Sequence, residues 1–335
     1  MIKVAINGFG RIGRQAFKIL TEKYGKKIEI VAINDLTENE TLAHLLKFDS
    51  NYGTWDAKID VHKNYLTINS KPVKVFSEKD PRKLPWKKLK IDVVLECTGF
   101  FTDAKRARSH LRAGAKRVIV SAPAKNHDCT IVLGVNEDTF DSQKDRIISC
   151  ASCTTNGLAP VMKVLNDEFG VKRAFLTTVH SYTNDQRILD LPHEDIRRAR
   201  AAAINLIPTK TGAAKAISEV LPELEGKMDG LAVRVPTSTV SLNDIVVELE
   251  KPTSPHDIMV AMFKASTGKM RGILKTADAE LVSSDYKGSQ YSSIFDGYLT
   301  KNIGDNFFKV FAWYDNEWGY SCRLADLAYF IGKKK

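Results

Sequence analysis

At 335 residues and 43% hydrophobic content, the chain carries enough apolar matter for two domains with sizeable cores. The formal net charge of +10 fits a basic surface that attracts small phosphorylated substrates; no groove-reading motif supports nucleic acid. No apolar run approaches membrane-spanning length, and five cysteines, few and odd in number, suggest no disulfide framework.

Met1–Asn7 enters a strand without a signal-peptide-like apolar region, which points to a cytoplasmic protein. After Ile2–Ile6 comes Gly8-Phe9-Gly10-Arg11-Ile12-Gly13, then a helix marked by Ile12, Ala16, Ile19 and Leu20. A second strand, 28–33, ends at Asn34-Asp35, and Asp35 stands 22 residues beyond Gly13. Strand, glycine turn, helix, strand and acid are the context a dinucleotide-binding turn requires. Gly8, Gly10 and Gly13 let the backbone approach a pyrophosphate, and Asp35 would accept hydrogen bonds from ribose hydroxyls.

Thr37 and Glu40 form a capping-box pattern before a helix carrying Leu42, Leu45, Leu46 and Phe48. Residues 59–76 alternate around Asn69-Ser70-Lys71-Pro72 as an inserted hairpin. Strands are predicted at 91–95, 117–120, 130–133 and 146–148, with a helix over 102–113 stopped by Gly114. Strands alternating with helices imply a largely parallel, doubly wound sheet over residues 1–150.

In Ser149-Cys150-Ala151-Ser152-Cys153-Thr154-Thr155-Asn156 a strand gives way to a helix whose apolar spacing runs through Leu158, Val161, Met162 and Leu165. Cys153 would face unpaired N–H groups and the positive end of that helix, an environment that favours thiolate. An ordinary capped helix beside an inert cysteine is the competing reading. Further on, a strand over 171–179 ends at His180, and 181–210 is a long irregular stretch of the kind that serves function or an interface. A helix opens near Thr211-Gly212, and strands follow at 231–235 (with Arg234), 239–249 and 307–314. A Pro255-started helix lies between the last two, and a final amphipathic helix runs from 320 to 331. This half reads as α+β with a mainly antiparallel sheet, spanning 151–315, and the helix of 316–335 is expected to pack back on the first domain. The lysines at 333–335 read as a frayed tail. Cys150 and Cys153 make a C-x-x-C spacing, but without a second pair at zinc spacing no metal is expected.

A thiol at a helix start, a histidine at a strand end and a dinucleotide turn together specify thiol-based aldehyde oxidation. Asn7–Arg14, Ala151–Asn156, His180-Ser181-Tyr182-Thr183, Arg197–Ala203, Thr211–Lys215 and Trp313–Glu317 resemble the phosphorylating glyceraldehyde-3-phosphate dehydrogenases over essentially the whole chain. That resemblance implies a Rossmann-type first domain, NAD as cofactor, and Cys153 and His180 as nucleophile and base. It implies that Thr183 and Arg234 hold the phosphate of a small phosphorylated aldehyde, and that Ser152, Thr154, Arg198, Thr211 and Gly212 hold inorganic phosphate. Arg11, Ile12, Asp35, Ser121 and Asn316 fall at its cofactor positions, and a homotetramer is implied. Three residues depart from its pattern: Lys79 stands in place of an arginine near the adenine, Cys150 in place of asparagine, and Gly157 in place of a second cysteine. A dehydrogenase for a longer aldehyde such as erythrose 4-phosphate is the nearest alternative.

Overall fold

Strand β1 (Ile2–Asn7) buries Val4, Ala5 and Ile6 completely and passes through Gly8-Phe9-Gly10 into helix α1 (Arg11–Tyr24) in this computed structural model, which describes residues 1–334. Gly8 has φ +89°, and a Cβ on it would lie 2.6 Å from the Thr98 nitrogen. A Cβ on Gly13 would lie 2.2 Å from the Gly8 carbonyl oxygen. The turn closes only with glycine at both places. β2 (Ile28–Asn34) runs parallel to β1, and α2 (Asn39–Lys47) follows.

The capping box expected at Thr37 does not form. The Asp35 carboxylate takes the Thr37 N–H at 3.0 Å, and the helix starts after Glu38 without a side-chain cap. Phe48 leaves that helix for a small ribbon, β3 (Phe48–Asp49) with β4 (Gly53–Thr54), and its ring is exposed. The inserted hairpin has three strands: β5 (Ile59–His62), β6 (Tyr65–Ile68) and β7 (Lys71–Phe76). Asn69 and Ser70 at φ 47° and 67° make the tight turn between the last two.

Next come α3 (Trp86–Leu89), β8 (Val93–Glu96), α4 (Ala104–Arg112), β9 (Arg117–Val120), β10 (Cys129–Thr130) and β11 (Ile147–Ser149). They complete one nine-stranded sheet in the order β10-β11-β9-β8-β1-β2-β7-β6-β5, parallel except at the β7-β6-β5 end. The strand expected at 130–133 is cut short, because the Asn136 amide oxygen takes the Val132 N–H at 2.8 Å and turns the chain.

The chain divides into two units, one of residues 1–131, 138–151 and 321 onward, the other of 132–137 and 152–320. The second starts with α5 (Cys153–Phe169), then β12 (Val171–Ser181), β13 (Ile207–Lys210), α6 (Ala213–Ala216) and β14 (Met228–Val235). It continues with β15 (Ser241–Leu249), α7 (Pro255–Thr267), β16 (Leu274–Thr276), β17 (Ser293–Ile303) and β18 (Phe307–Tyr314). Its seven-stranded sheet runs β13-β14-β12-β15-β18-β17-β16, antiparallel except for β12 with β14 and β16 with β17, and α5 packs on β15, β17 and β18. The long strand β17 has no counterpart in the sequence reading. Gly297 and a register shift between Asp296 and Lys301 interrupt its alternation. β15 starts two residues later than expected, after Val240 at φ 70°.

Helix α8 (Trp318–Lys333) buries Leu324, Leu327, Ala328 and Ile331. From residue 321 it belongs to the first unit, where Asp326 accepts from the Tyr24 hydroxyl at 2.6 Å and the Lys23 ammonium at 2.8 Å. Among the described residues no helix is long and apolar enough to cross a membrane.

Because nothing can move to admit a methyl group between Gly13 and the Gly8 carbonyl, Gly13→Ala is expected to destabilise the protein by about 1–3 kcal/mol. Urea unfolding read by fluorescence checks it; an unchanged midpoint would show that the turn relaxes freely.

Candidate active site

At the C-terminal ends of β1, β2 and β8 lies a cleft of about 420 Å³ whose walls include Gly8, Gly10, Asp35, Lys79, Cys97 and Arg106. Asp35 is anchored across the glycine turn, accepting the Phe9 N–H at 2.7 Å. No side chain caps α1, and a Cβ on Gly10 would meet nothing, so the helix N-terminus opens where a phosphate would sit. This cradle with its spaced acid fits a dinucleotide. Arg11 turns its guanidinium away onto Asp49, at 2.6 and 3.2 Å, so its place at the helix start and not its side-chain charge is what the cradle can use. Ile12 follows within the same first turn of α1. Ser121 sits one residue beyond β9, its N–H on the Glu96 carbonyl at 3.0 Å and its side chain bonded to the Cys97 thiol.

Beneath the cleft is a buried network that the sequence reading missed. Glu96 accepts from Asn7 Nδ2 at 2.6 Å and from the Thr98 N–H at 2.9 Å, and lies 2.9 Å from His110 Nε2. The Trp86 indole donates to His110 Nδ1 at 3.0 Å, which leaves the histidine's proton on Nε2, facing the carboxylate. Its members come from β1, β8, α3 and α4, so no local motif reveals it.

In the second unit, Ser152 caps α5, its hydroxyl taking the Thr155 N–H at 2.9 Å, and Cys153 is the first helical residue. The sulfur lies 3.5 Å from Nε2 of His180, which is buried in the last turn of residues of β12. β14 runs beside β12 with Arg234 paired to His180 in register. Arg234 Nη1 lies 2.9 Å from His180 Nδ1, 3.1 Å from the Ser181 carbonyl and 3.4 Å from the Thr183 hydroxyl. Cys153, His180, Thr183 and Arg234 are therefore brought together.

The remaining expected residues are distributed differently. The Thr154 hydroxyl bonds to the Tyr314 hydroxyl at 2.9 Å, and Thr178 meets the same phenol at 2.8 Å. Tyr314 sets its ring edge-on to His180, with centroids 6.0 Å apart. Arg198 is held by Asp185, by Thr209 at 2.9 Å and by the Lys210 carbonyl at 3.2 Å. Thr211 accepts the Ala213 N–H at 3.2 Å, and Gly212 precedes α6 with open space where its Cβ would be. No hydrogen bond among the described residues joins Thr211, Gly212 or Arg198 to Cys153, although the charge of Arg198 is felt at His180. Asn316 has its amide oxygen fixed by the Ser181 and Ser241 hydroxyls, both at 3.0 Å. No metal-binding group of three or more His, Cys, Asp or Glu occurs among the described residues.

Comparison with known proteins gives two family models: the NAD binding domain of glyceraldehyde 3-phosphate dehydrogenase over residues 2–104 and its C-terminal domain over 152–316. The glyceraldehyde-3-phosphate dehydrogenase of Geobacillus stearothermophilus is 54% identical over 333 residues, 99% of each chain. That of Mycolicibacterium smegmatis is 55% identical over 338 residues, again covering 99% of each. The chain belongs to the glyceraldehyde 3-phosphate dehydrogenase family.

Within that family the departures now have surroundings. A Cβ on Gly157 would lie 2.9 Å from the Tyr314 ring, so a cysteine there requires the ring to move. Cys150 is buried just after β11, with its N–H on the Val120 carbonyl at 3.0 Å, and none of the five cysteines is in a disulfide. Lys79 lines the dinucleotide cleft beside Glu78.

Burial pushes the Cys153 thiol above its ordinary value, and Arg234 and Thr154 oppose that rise. Burial, and after it the Arg234 charge, pulls His180 down to about 3 against the opposing Ser181 carbonyl. Desolvation thus works against the thiolate that the helix start favours, and the Arg234 charge supports thiolate on sulfur while opposing imidazolium at His180. Around His180 Nδ1, the Ser181 carbonyl at 2.7 Å only accepts and the Arg234 guanidinium only donates. A proton on Nδ1 leaves Nε2 free to take the thiol proton; a proton on Nε2 makes it a donor to sulfur. Both tautomers have a partner in place.

Since Arg234 lowers the proton affinity of Cys153, Arg234→Gln should move the inflection of thiol alkylation upward in pH. Iodoacetamide inactivation rates across pH measure it; a downward or absent shift would contradict the electrostatic assignment.

Proposed function

We propose that the protein is an NAD-dependent oxidoreductase that converts D-glyceraldehyde 3-phosphate and inorganic phosphate to 1,3-bisphosphoglycerate, as a cytoplasmic enzyme of glycolysis or gluconeogenesis. The observation that carries this reading is the 3.5 Å contact between Cys153 Sγ, at the start of α5, and His180 Nε2, beside Arg234 and Thr183. Residues 1–150 with the C-terminal helix serve as the dinucleotide-binding domain, and 151–315 as the catalytic domain.

His180 takes the thiol proton as Cys153 sulfur bonds to the aldehyde carbon and returns it to the former carbonyl oxygen, giving a hemithioacetal. NAD, when bound, supplies the hydride acceptor. His180 removes the hemithioacetal hydroxyl proton as hydride leaves, and a thioester on Cys153 results. Inorganic phosphate then attacks the thioester carbon, forming the acyl phosphate and releasing Cys153 as thiolate. Arg234 and Thr183 hold the phosphate of the aldehyde. A guanidinium offers two parallel donors there, and its departure from His180 Nδ1 toward that phosphate favours the tautomer in which Nε2 is the base. Ser152, Thr154, Arg198, Thr211 and Gly212 receive the attacking phosphate, which requires Arg198 to exchange Asp185 for it.

Gly8, Gly10, Arg11, Ile12 and Gly13 cradle the cofactor's pyrophosphate, Asp35 takes the ribose hydroxyls, and Lys79, Ser121 and Asn316 complete its contacts. We also propose a homotetramer. Exposed Ile188, Leu189, Ile196, Ile204 and Leu206 on the 182–206 loop form apolar surface of the kind subunits bury.

Turnover with glyceraldehyde 3-phosphate and with erythrose 4-phosphate, each with and without inorganic phosphate, tests the substrate. A clear preference for the four-carbon aldehyde would overturn the proposal in favour of that dehydrogenase. Asp35 repels a 2′-phosphate, so NAD should be preferred to NADP and Asp35→Gly should narrow the preference; equal efficiency of the two cofactors in the wild type would contradict this. Arg234→Lys keeps the charge but loses the planar pair of donors, and should cost about 2 kcal/mol in transition-state binding, measured as kcat/KM for the phosphorylated aldehyde.

A further inference from the structure

A second cleft, of about 960 Å³, opens in the first unit at the edge where the parallel strands begin. Lys26 and Lys27 reach it from the turn after α1, Lys116 and Arg117 from the start of β9, Arg146 from the residue before β11, and Lys333 from the end of α8. Among the described residues Asp92 is the one acid in the wall, and it is already engaged, by the Lys116 ammonium at 2.7 Å and the Lys3 N–H at 2.8 Å. Arg146 is held by backbone oxygens of Ser142 at 3.0 Å and Gln143 at 3.1 Å.

Arg117, only 8% exposed, donates to the carbonyls of Ile331 at 3.0 Å and Ser142 at 2.9 Å, while its buried Nε has no partner. Burial and the neighbouring Arg146 charge hold its pKa below the ordinary guanidinium value. Like charges are thus gathered with little acid to neutralise them, and an anion would relieve the repulsion.

This edge is not the dinucleotide edge. Ile2 and Asp92 stand at the starts of β1 and β8, whereas Asn7 and Cys97 at their ends line the other cleft. Six residues of β1 separate the two edges by about 20 Å.

The aromatic neighbour tells which anion fits. Tyr329 stacks on Tyr24 with centroids 4.9 Å apart, and the Lys27 and Lys333 ammonium groups each lie 4.9 Å from its ring centre. Its faces are taken, so the cleft has no ring on which a nucleic-acid base could stack. What it presents is a row of flexible ammonium groups and guanidinium planes, which match closely spaced phosphates.

We propose that this cleft binds a linear phosphate-chain polyanion through Lys26, Lys27, Lys116, Arg146 and Lys333, independently of the dinucleotide cleft. The probe is inorganic polyphosphate of defined length, titrated into the full-length protein at saturating NAD over a salt series. Binding should persist with NAD present and weaken steeply with salt. The triple variant Lys26→Gln, Lys27→Gln, Lys333→Gln should bind at least about ten-fold more weakly, with a salt dependence shallower by about two to three contacts, and with dehydrogenase kcat/KM unchanged. The matching Lys→Arg triple should retain affinity. Displacement by NAD, wild-type affinity in the Gln triple, or loss of affinity in the Arg triple would each overturn the proposal. So would a single-stranded oligonucleotide of equal charge binding as tightly, since the cleft would then read nucleic acid.

Discussion

The Ser152 hydroxyl on the Thr155 N–H sets where α5 begins, and the chemistry depends on that starting point. With the cap at 152, Cys153 occupies the first helical position, where backbone N–H groups and the helix dipole favour negative charge on sulfur. One residue earlier or later and the sulfur would rotate by about 100° around the helix axis, away from β12. The parallel register of β12 with β14 then puts Arg234 beside His180. Cap and strand register together create the thiol–imidazole–guanidinium row.

That row is costly to bury. Cys153, His180 and Arg234 each have their charged form disfavoured by desolvation. The compensation is local and polar: the Ser181 carbonyl for the imidazole and guanidinium, Tyr314 with Thr154 and Thr178 behind the sulfur, and Asn316 pinned by Ser181 and Ser241. The guanidinium beside this pair favours thiolate on Cys153 but opposes imidazolium at His180.

In the first unit one parallel sheet serves two edges. Where strands end, glycine geometry and the Glu96 network shape a cleft for a dinucleotide. Where strands begin, the chain's excess of positive charge gathers in another. Of the lysines that in sequence read as a frayed tail, Lys333 and Lys334 are part of that wall, with Lys333 over Tyr329, and Lys335 lies outside the described residues.

The dinucleotide turn, the start of α5 and the division into a parallel and a mainly antiparallel sheet were legible in the sequence, because each depends on residues close together in the chain. Gly8 and Gly13 report backbone approach directly; Ser152 and the apolar spacing after it report a helix start. Other features join residues far apart, and no spacing announces them. Tyr314 reaches Thr154 across 160 positions, Glu96 meets Asn7 across 89, and Arg198 is paired with Asp185 from the opposite arm of its loop. β17 was invisible because a glycine and a register shift erase the alternation by which strands are recognised. Local steric and hydrogen-bonding rules thus determined which residues could be nucleophile, base and cofactor cradle. Only the tertiary structure decided their partners and the burial and charge around them, since these are properties of the packed chain and not of any segment of it.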